Sequence, residues 1–370
     1  MKKQPLKLFL AGDVMTGRGI DQILPVPSNP RLYESCVMDA RDYIALAERT
    51  SGPIPRDVSG DYIWGDALAE LDRLNPDVRI VNLETSVTTA SKPWPGKGIH
   101  YRMHPDNLDC LLAARLDICG LANNHVLDWG REGLEESLRV LHAVGLHTPG
   151  AGRDESEARA PAALRLAGGG RLLVLACGLT SSGIPEDWAA GPGRSGVFLL
   201  PGLGDASVNE VARIIGQARQ PSDRVLVSVH WGGNWGYYVE DEERLFARRL
   251  IEEVGVDVFH GHSSHHPRGI EVWKGRLILY GCGDLINDYE GIRGYEAFHP
   301  ELSLLYLPTI DADSGLLTSL TMVPMRMERF RLNHATGQEQ DWLHGRLNEV
   351  CREYGTALEK GPDGSFELAW

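Results

Sequence analysis

Polar side chains with the chemistry of a metal site recur in this sequence directly after short apolar segments. Aspartate ends LFLAGD, glutamate follows RIVNL, an Asn-Asn-His triplet follows ICGLA, histidine ends VLVSVH, and two further histidines follow VDVFHG. Carboxylate, amide and imidazole groups without thiolates bind hard and borderline divalent ions, and they also transfer protons in catalysis. The residues of this set are Asp13, Glu84, Asn124, His125, His230, His262 and His265.

The donor types in this set predict a site for one or two divalent ions, and Mn, Fe, Zn, Mg and Ca all fit. A carboxylate such as Glu84 could bridge two ions, an arrangement that serves phosphoryl and hydrolytic chemistry. His125 follows Asn124 and is predicted to be a general acid, while Asp128 lies three residues on and can orient the imidazole ring. The sequence therefore predicts a metal-assisted acid–base site.

Taken singly, each of these residues has an ordinary structural explanation. Asp13 could cap the following helix, and Asn124 could occupy a left-handed turn. Glu84 could be a solvated turn residue, and His230 a hydrogen-bonded core histidine. Their ordered recurrence at strand ends favours a site, because the carboxyl ends of strands in an open α/β sheet face one crevice.

Short apolar runs alternate with amphipathic helical patterns along most of the chain, which predicts strand–helix–strand units and an α/β protein. Strands are predicted at Lys7–Gly12, Val78–Leu83, Ile118–Ala122, Leu172–Cys177, Val225–Val229 and Val256–His260. Helices are predicted at Ile63–Leu74, Pro105–Arg115, Glu132–Val144, Ser207–Arg219 and Glu242–Val254.

Beyond His266 the pattern changes to hairpin-like strands, with a Lys-Gly turn in IEVWKGRLILYG. Further strands at Leu302–Leu307 and Leu317–Val323 predict a second sheet in the last third, followed by a helix near Gln338–Tyr354. The Pro-rich segment from Pro25 to Gly60 is predicted to be an insertion, and long irregular segments of this kind are often functional.

Composition limits the classes of protein and partner. The chain has 370 residues and a net charge of −14, without a lysine-rich tract, so nucleic acids and anionic membranes are not expected partners. An acidic substrate would need local cations or a metal. The six cysteines form no CxxC pair, and no apolar stretch is long enough for a signal peptide or a membrane span. We therefore expect a cytoplasmic protein, whose oligomeric state the sequence does not fix.

The motifs AGDVM, VNLETSVT, LANNHVLDWG, SVHWG and GHSSHHPRGIEVWKGRLILYGCGDL, taken in order, resemble those of the CapA family, named for poly-γ-glutamate capsule biosynthesis. This family is similar to the calcineurin-like metallophosphoesterases. The resemblance implies a four-layer α/β/β/α sandwich with a dinuclear site at the strand ends. It also implies one domain over residues 1–330, with the insertion at about 25–60, and a C-terminal helix and tail over 331–370 packed on it.

The resemblance also implies a role for each residue of the site. Asp13 and His265 would hold one metal, Glu84 would bridge, and the second metal would be held by Asn124, His230 and His262, with His125 as catalytic acid. The chain departs from classical metallophosphoesterases by having Met15 two residues after the first aspartate, a glutamate in NLE, and GHxxH in place of GHxH. One metal position is therefore poorer in ligands, which favours a single ion or a harder one such as Ca.

Several functions remain open at this point. The first is a metal-dependent enzyme acting on a peptide or poly-glutamate-type substrate. The second is a peptide Cα epimerase, because CapA-like enzymes include a lasso-peptide epimerase, with Asp13, His125 with Asp128, His265 and His299 as acid–base candidates. The third is a phosphoesterase or a non-catalytic polymer-binding module.

Substrate-binding candidates lie next to the motifs. Three arginines could hold a carboxylate as bidentate clamps, and two tryptophans could line a groove for the substrate. These residues are Arg18, Arg102, Arg268, Trp129 and Trp231.

Overall fold

The structure, a computed structural model, describes residues 4–370. In chain order the strands are β1 (Leu6–Val14), β2 (Val78–Leu83), β3 (Ser86–Val87), β4 (Arg102–Met103), β5 (Ile118–Gly120), β6 (Ala151–Gly152), β7 (Ala162–Arg165), β8 (Arg171–Gly178), β9 (Gly196–Val197), β10 (Arg224–His230), β11 (Val258–His262), β12 (Ile270–Trp273), β13 (Arg276–Leu279), β14 (Asp284–Ile286), β15 (Leu302–Ile310), β16 (Leu317–Glu328), β17 (Arg331–His334), β18 (Ala357–Lys360) and β19 (Phe366–Ala369).

The α-helices are α1 (Arg41–Ser51), α2 (Asp66–Leu74), α3 (Asp109–Leu112), α4 (Gly130–Ala143), α5 (Glu155–Arg159), α6 (Asp205–Ala218), α7 (Asp241–Arg249) and α8 (Gly337–Cys351). A π-helical segment, Leu250–Val254, continues α7. Short 3-10 helices lie at Asp21–Ile23, Tyr62–Trp64, Pro105–Asn107, Thr180–Ser182, Glu186–Trp188, Glu296–Phe298 and Arg352–Tyr354.

Within residues 4–370, most strands belong to two sheets. The first has the order β18-β19-β16-β15-β1-β2-β5, with β14 also paired to β1 and β17 to β16. The second has the order β12-β13-β11-β10-β8-β7. The strands that carry the metal-site motifs, β1, β2 and β5 in one sheet and β10 and β11 in the other, run parallel to their neighbours in this group. Their carboxyl ends therefore meet at one edge of each sheet.

Successive side chains of a strand point to opposite faces of its sheet, so each strand contributes residues to two separate hydrophobic cores. Leu8, Leu10 and Leu226 lie in the core between the two sheets. Phe9 packs on the outer side of the first sheet with helices α1, α2 and α4, and Val227 packs on the outer side of the second with α6 and α7. The layers are thus α/β/β/α, and the predicted four-layer sandwich is confirmed.

The predicted division of the strands between the sheets is wrong. The last third does not form a sheet of its own, because β15 pairs with β1, and β12 and β13 join the sheet of β10 and β11. The chain builds the middle of the first sheet, crosses to the second at β7, and returns at β14. Residues after 330 contribute β17, β18 and β19 to the first sheet, where the sequence indicated only a helix and tail.

Local predictions were correct where a turn or an amphipathic period specified them. Lys274 and Gly275 both have positive φ, as a two-residue hairpin turn of type I′ requires.

Other local predictions were wrong. The predicted helix over residues 105–115 is instead a 3-10 turn followed by the short α3, and the insertion at 25–60 contains the 11-residue α1. Among the described residues, no helix combines the length and apolarity needed to cross a bilayer.

Candidate metal centre

The strand ends bring the predicted residues together from both sheets. Asp13 at the end of β1 is opposite Asn82 of β2, and His230 at the end of β10 is opposite His262 of β11. On its other side, Asp13 is opposite Asp284, the first residue of β14. All five side chains are buried. Parallel register therefore places carboxylates and imidazoles at the same level of the sandwich.

Ligand atoms of two groups of residues converge at this edge, each group within 4.8 Å. One group is Asp13, His230 and His262, and the other is Asp13, His265 and Asp284. Because Asp13 belongs to both groups, it is placed to bridge two ions, the role that the resemblance gives to Glu84. Asp284 adds a carboxylate to the metal position that the sequence left poor in ligands.

A chain of hydrogen bonds fixes the tautomer of His262. His260 Nε2 lies 2.9 Å from the carbonyl oxygen of Ala11, which can only accept, so Nε2 carries the proton. Burial lowers the pKa of His260 to about 4, so the ring is neutral and Nδ1 accepts from the Ser228 hydroxyl 3.1 Å away. Ser228 Oγ accepts in turn from His262 Nε2 at 2.9 Å. Burial also holds the pKa of His262 well below its usual value, so Nδ1 carries no proton and can bind a cation.

His230 presents a second unprotonated nitrogen to the same point. Its Nε2 donates to Asn124 Oδ1 at 3.1 Å, and burial, followed by nearby His125 and His265, holds the pKa of His230 well below its usual value. The Nδ1 atoms of His230 and His262 then face each other at 2.8 Å with a lone pair on each. Two lone pairs at this distance repel unless a cation draws them together, so these imidazoles fit a metal ion.

The carboxylates of the site support the same conclusion. Asn82 Nδ2 donates to Asp13 Oδ1 at 2.7 Å and to Glu84 Oε2 at 2.9 Å, but Asp13 Oδ2 is buried without any hydrogen-bond partner. Burial and Asp284 raise the pKa of Asp13 to about 7. Burial and Asp13 raise the pKa of Glu84 well above its usual value. Buried carboxylates that repel one another are stabilised by a bound cation, so the donor set fits one or two divalent ions.

His265 and Asp284 form a pair beside Asp13. His265 Nδ1 donates to Asp284 Oδ1 at 2.9 Å, while Asn287 Nδ2 donates to the other carboxylate oxygen at 3.1 Å. Burial lowers the pKa of His265, but the charge of Asp284 and this hydrogen bond outweigh it, so the net shift is upward. The aromatic rings of Trp235 and Tyr289 pack against the imidazole. Asp284 therefore fixes the ring of His265 with Nε2 free.

His125 lies on the other side of Glu84 in a network with an ionised carboxylate. Its Nδ1 donates to Asp128 Oδ2 at 2.7 Å, and its Nε2 is 3.8 Å from Glu84 Oε1. Asp128 also accepts from the Tyr101 amide at 2.6 Å and from Lys97 Nζ. Burial lowers the pKa of His125 to about 4, so its ring is neutral, with the proton on Nδ1 and an acceptor at Nε2.

Lys97 and Asp284 are functional candidates that the sequence analysis missed. Lys97 Nζ lies 3.0 Å from His125 Nδ1 and forms an ion pair with Asp128, although burial lowers the pKa of the lysine. It comes from the irregular segment between β3 and β4, where no periodic pattern indicated its direction. Asp284 was within a quoted motif, but it begins a strand whereas the other site residues end theirs.

Two of the predicted substrate-binding residues are not available to a substrate. Trp231 is 1% exposed and packs against Phe259 in the core beneath α7, because it points to the opposite face of β10 from His230. Arg268 is also buried, and its Nη2 donates to the carbonyl oxygen of Gly233 at 2.7 Å. Both residues contact the protein interior in this structure, and a substrate-binding role for them stays a prediction.

The other three predicted substrate-binding residues are also buried, next to residues of the insertion. They are Arg18, Arg102 and Trp129. Arg18 donates to Asp288 and to Glu34, so its charge is already compensated. Arg102 lies over the ring of Trp129, 3.7 Å from the ring centre, and neither residue contacts the metal ligands. Arg18 is thus held in an ion pair, and its role as a carboxylate clamp stays a prediction.

His299 is not brought to the cluster. Its Nδ1 is 2.7 Å from Glu301 Oε1, and its ring packs against Trp342. It lines a cavity of about 320 Å³ that also includes Asn287 and Tyr289, so its link to the site is indirect. The structure thus places His299 on the wall of this neighbouring cavity, and its acid–base role stays a prediction.

One prediction separates the two groups of ligands. If the wild-type protein binds two divalent ions per chain, the Asp284→Asn variant should bind one. The substitution removes a ligand only from the group formed by Asp13, His265 and Asp284. The His230–His262 group keeps its donors and its ion. Metal content after dialysis, measured by mass spectrometry, tests this; an unchanged content would remove Asp284 from the site.

Comparisons with known proteins relate the chain to a bacterial protein family. The model of a bacterial capsule synthesis protein family, PGA_cap, matches residues 7–289. Proteins from two strains of Mycobacterium tuberculosis, each named probable polyglutamine synthesis accessory protein, are 44% identical over 363 residues, which cover 98% of this chain and 95% of theirs. The PGA biosynthesis protein CapA of Bacillus subtilis is 27% identical over 284 residues, or 76% of this chain and 63% of that one.

A solved structure of a Mycoplasma pneumoniae protein, described as a novel phosphatase, superposes with a TM-score of 0.47. It is 13% identical, and the alignment covers 89% of this chain and 96% of that one.

Proposed function

Because this chain belongs to the PGA_cap family of bacterial capsule synthesis proteins, we propose that it is a metal-dependent hydrolase of amide bonds in an acidic, poly-glutamate-type peptide chain. The observation that carries the proposal is the pair of ligand groups sharing Asp13, next to the His125–Asp128 pair. The names of relatives in Mycobacterium and Bacillus, which refer to polyglutamine and PGA synthesis, support a polymeric substrate of this kind. Polyglutamine carries no side-chain charge, so the acidity of the chain is part of our proposal and not of those names.

The residues that would hold cations are Asp13, Glu84, Asn124, His230, His262, His265 and Asp284. A divalent cation bound there would polarise the oxygen of the reacting carbonyl. A negatively charged chain is otherwise disfavoured by a protein of net charge −14, so a cation in the site also serves to attract the substrate.

His125 is the proton carrier in this proposal. Its neutral ring offers Nε2 as an acceptor on the side of Glu84, and Asp128 stabilises the charged ring that forms after proton transfer. In hydrolysis, Nε2 would take this proton from the water molecule whose oxygen forms the new bond to the carbonyl carbon, and would return it to the amine as the C–N bond breaks. Asp128 is kept ionised because, although burial raises its pKa, His125 and Lys97 lower it further.

The test combines metal content with product analysis. Purified protein is incubated with a γ-linked glutamate oligomer in heavy water, with Mn²⁺ added or with chelator, and products are examined by mass spectrometry. We expect shorter chains with new termini only in the metal-loaded sample. Absence of any divalent ion in the intact protein, or cleavage that persists in chelator, would contradict the proposal.

Cα epimerisation is a second candidate, because two imidazoles at the site are shifted in opposite directions. Burial lowers the pKa of His125, while Asp284 outweighs burial and raises that of His265, which is the arrangement expected of a base and an acid. The same experiment distinguishes the reactions. Deuterium at Cα in chains of unchanged length supports epimerisation and argues against hydrolysis.

Metal binding should depend on pH near neutrality. Cation binding requires Asp13 ionised and His265 neutral, and the pKa of each is raised, that of Asp13 to about 7. Protons therefore compete with the metal, and we expect the apparent Mn²⁺ affinity to fall steadily between about pH 8 and about pH 6. Titration calorimetry in matched buffers measures this; an affinity that is flat over this range would contradict it.

A further inference from the structure

A small cavity between the insertion and the segment before α4 contains polar atoms that nothing satisfies. Its wall includes Ser28, Asn29, Arg31, His100, Arg102 and Trp129. Ser28 Oγ, His100 Nδ1 and Arg102 Nε are buried and have no hydrogen-bond partner among the described residues. Buried polar groups are almost always paired, so three orphaned atoms around one space indicate that a water molecule or a ligand atom belongs there.

The charge of the cavity indicates what kind of ligand is missing. Arg102 is 8% exposed, and its Nη atoms donate only to the carbonyl oxygens of Ala90 and Asn29. Arg31 is exposed at the rim, and no carboxylate of the described residues lies within ion-pair distance of either guanidinium. Burying a guanidinium without an ion-pair partner is costly; Asp21 offsets part of that cost from beyond ion-pair distance, and an anion in the cavity would offset more of it.

One carboxylate is present in the wall but is already used. The oxygens of Asp21 accept from the amides of Ser28 and His104 and from the side chains of Gln22 and Asn107. Asp21 shapes the loop and leaves Arg102 Nε without an acceptor. The space, about 10 Å³, admits one oxygen-sized group, which fits the oxygen of a carboxylate and is too small for a tetrahedral phosphate.

Two residues of the cavity wall are sequence neighbours of residues that contact His125. His100 lines the cavity, while Tyr101 packs its ring against His125, 4.5 Å between ring centres. Trp129 lines the cavity, while the preceding Asp128 holds His125. A peptide chain lying across this edge could thus place one carboxylate in the cavity while another of its groups is at the metal centre.

We propose that this cavity is a subsite for a carboxylate of the substrate chain, held by Arg102 and Ser28 and attracted by Arg31. The substrate class in this proposal is taken from the proposed function. Binding at the subsite, however, does not require that the protein catalyse a reaction. Arg102 Nε–H and the Ser28 hydroxyl donate to the carboxylate oxygen. The subsite selects acidic chains over neutral ones of the same length.

Binding of a fluorescent γ-linked glutamate oligomer, compared with its carboxamide analogue, tests the subsite by fluorescence anisotropy at constant ionic strength. We expect Arg102→Gln to weaken binding of the acidic oligomer about tenfold and Arg31→Gln by a smaller factor, without a change for the carboxamide. Arg165→Gln removes the same charge at the far edge of the second sheet and should have no effect. Because Arg31 is exposed, its variant keeps the test valid if Arg102→Gln fails to fold.

The proposal is overturned if wild-type protein binds both oligomers equally, or if the Arg31 and Arg102 variants bind like Arg165→Gln, in which case the cavity holds a water molecule only. Displacement of the oligomer by an equal carboxylate concentration of free glutamate would also overturn it. Asp13→Asn should keep Arg31-dependent binding while losing metal. Binding that persists without any metal-dependent turnover would therefore sink the proposed hydrolysis and leave the subsite standing.

Discussion

Asp13→Asn is expected to remove bound divalent metal entirely and to lower turnover of a glutamate oligomer on the order of a thousandfold. The reason is that Asp13 belongs to both groups of converging ligands, whereas every other residue of the two belongs to one. The amide keeps the size of the side chain and its contact with Asn82, so packing is preserved. Metal content and single-turnover product formation are the measurements.

The same substitution should stabilise the metal-free protein. The pKa of Asp13 is about 7 in the folded chain, so below that value the folded state holds a proton that the unfolded chain has released. Asp13 therefore makes the stability of metal-free wild-type protein fall as pH rises from about 4 to about 7, and Asp13→Asn removes this contribution. Thermal unfolding in chelator tests the sign, with exposed Asp106→Asn as control. A metal-free variant less stable than wild type at neutral pH would contradict the account of the buried carboxylates.

The strand-end residues could be predicted because two local signals agree at each of them. A short apolar run predicts a strand, and the polar residue that follows must lie at the crevice if the strand is parallel. This places Asp13, Glu84, Asn124, His230 and His262 without knowledge of the sheet order. The contacts Asp13–Asn82 and His230–His262 follow from that register.

What the sequence could not predict depends on long-range pairing. Nothing local indicates that β14 returns beside β1 and so brings Asp284 opposite Asp13, from which it is separated by 271 positions in the sequence. Lys97 lies in a segment without periodicity, so its direction is set by the ion pair with Asp128. Trp231 is different, since strand alternation already places it on the opposite face from His230, and that signal was available.

His125→Gln is expected to lower turnover by about a hundredfold to ten-thousandfold while leaving metal content unchanged. Its ring does not belong to either group of converging ligands, and its unprotonated Nε2 lies 3.8 Å from Glu84 Oε1. Glutamine can still accept a hydrogen bond but cannot carry a proton. His334→Gln, on β17 of the first sheet, is the matched control and should keep full activity.

Two further variants distinguish proton transfer from a structural effect of losing the ring. Asp128→Asn keeps the size of the carboxylate but no longer favours a proton on Nδ1 of His125, so turnover should fall and its pH profile should shift. Lys97→Met leaves Asp128 uncompensated, which raises the pKa of His125 and moves the acidic limb of the profile upward. If both variants lower turnover without moving the profile, His125 is a structural residue and the proton carrier lies elsewhere.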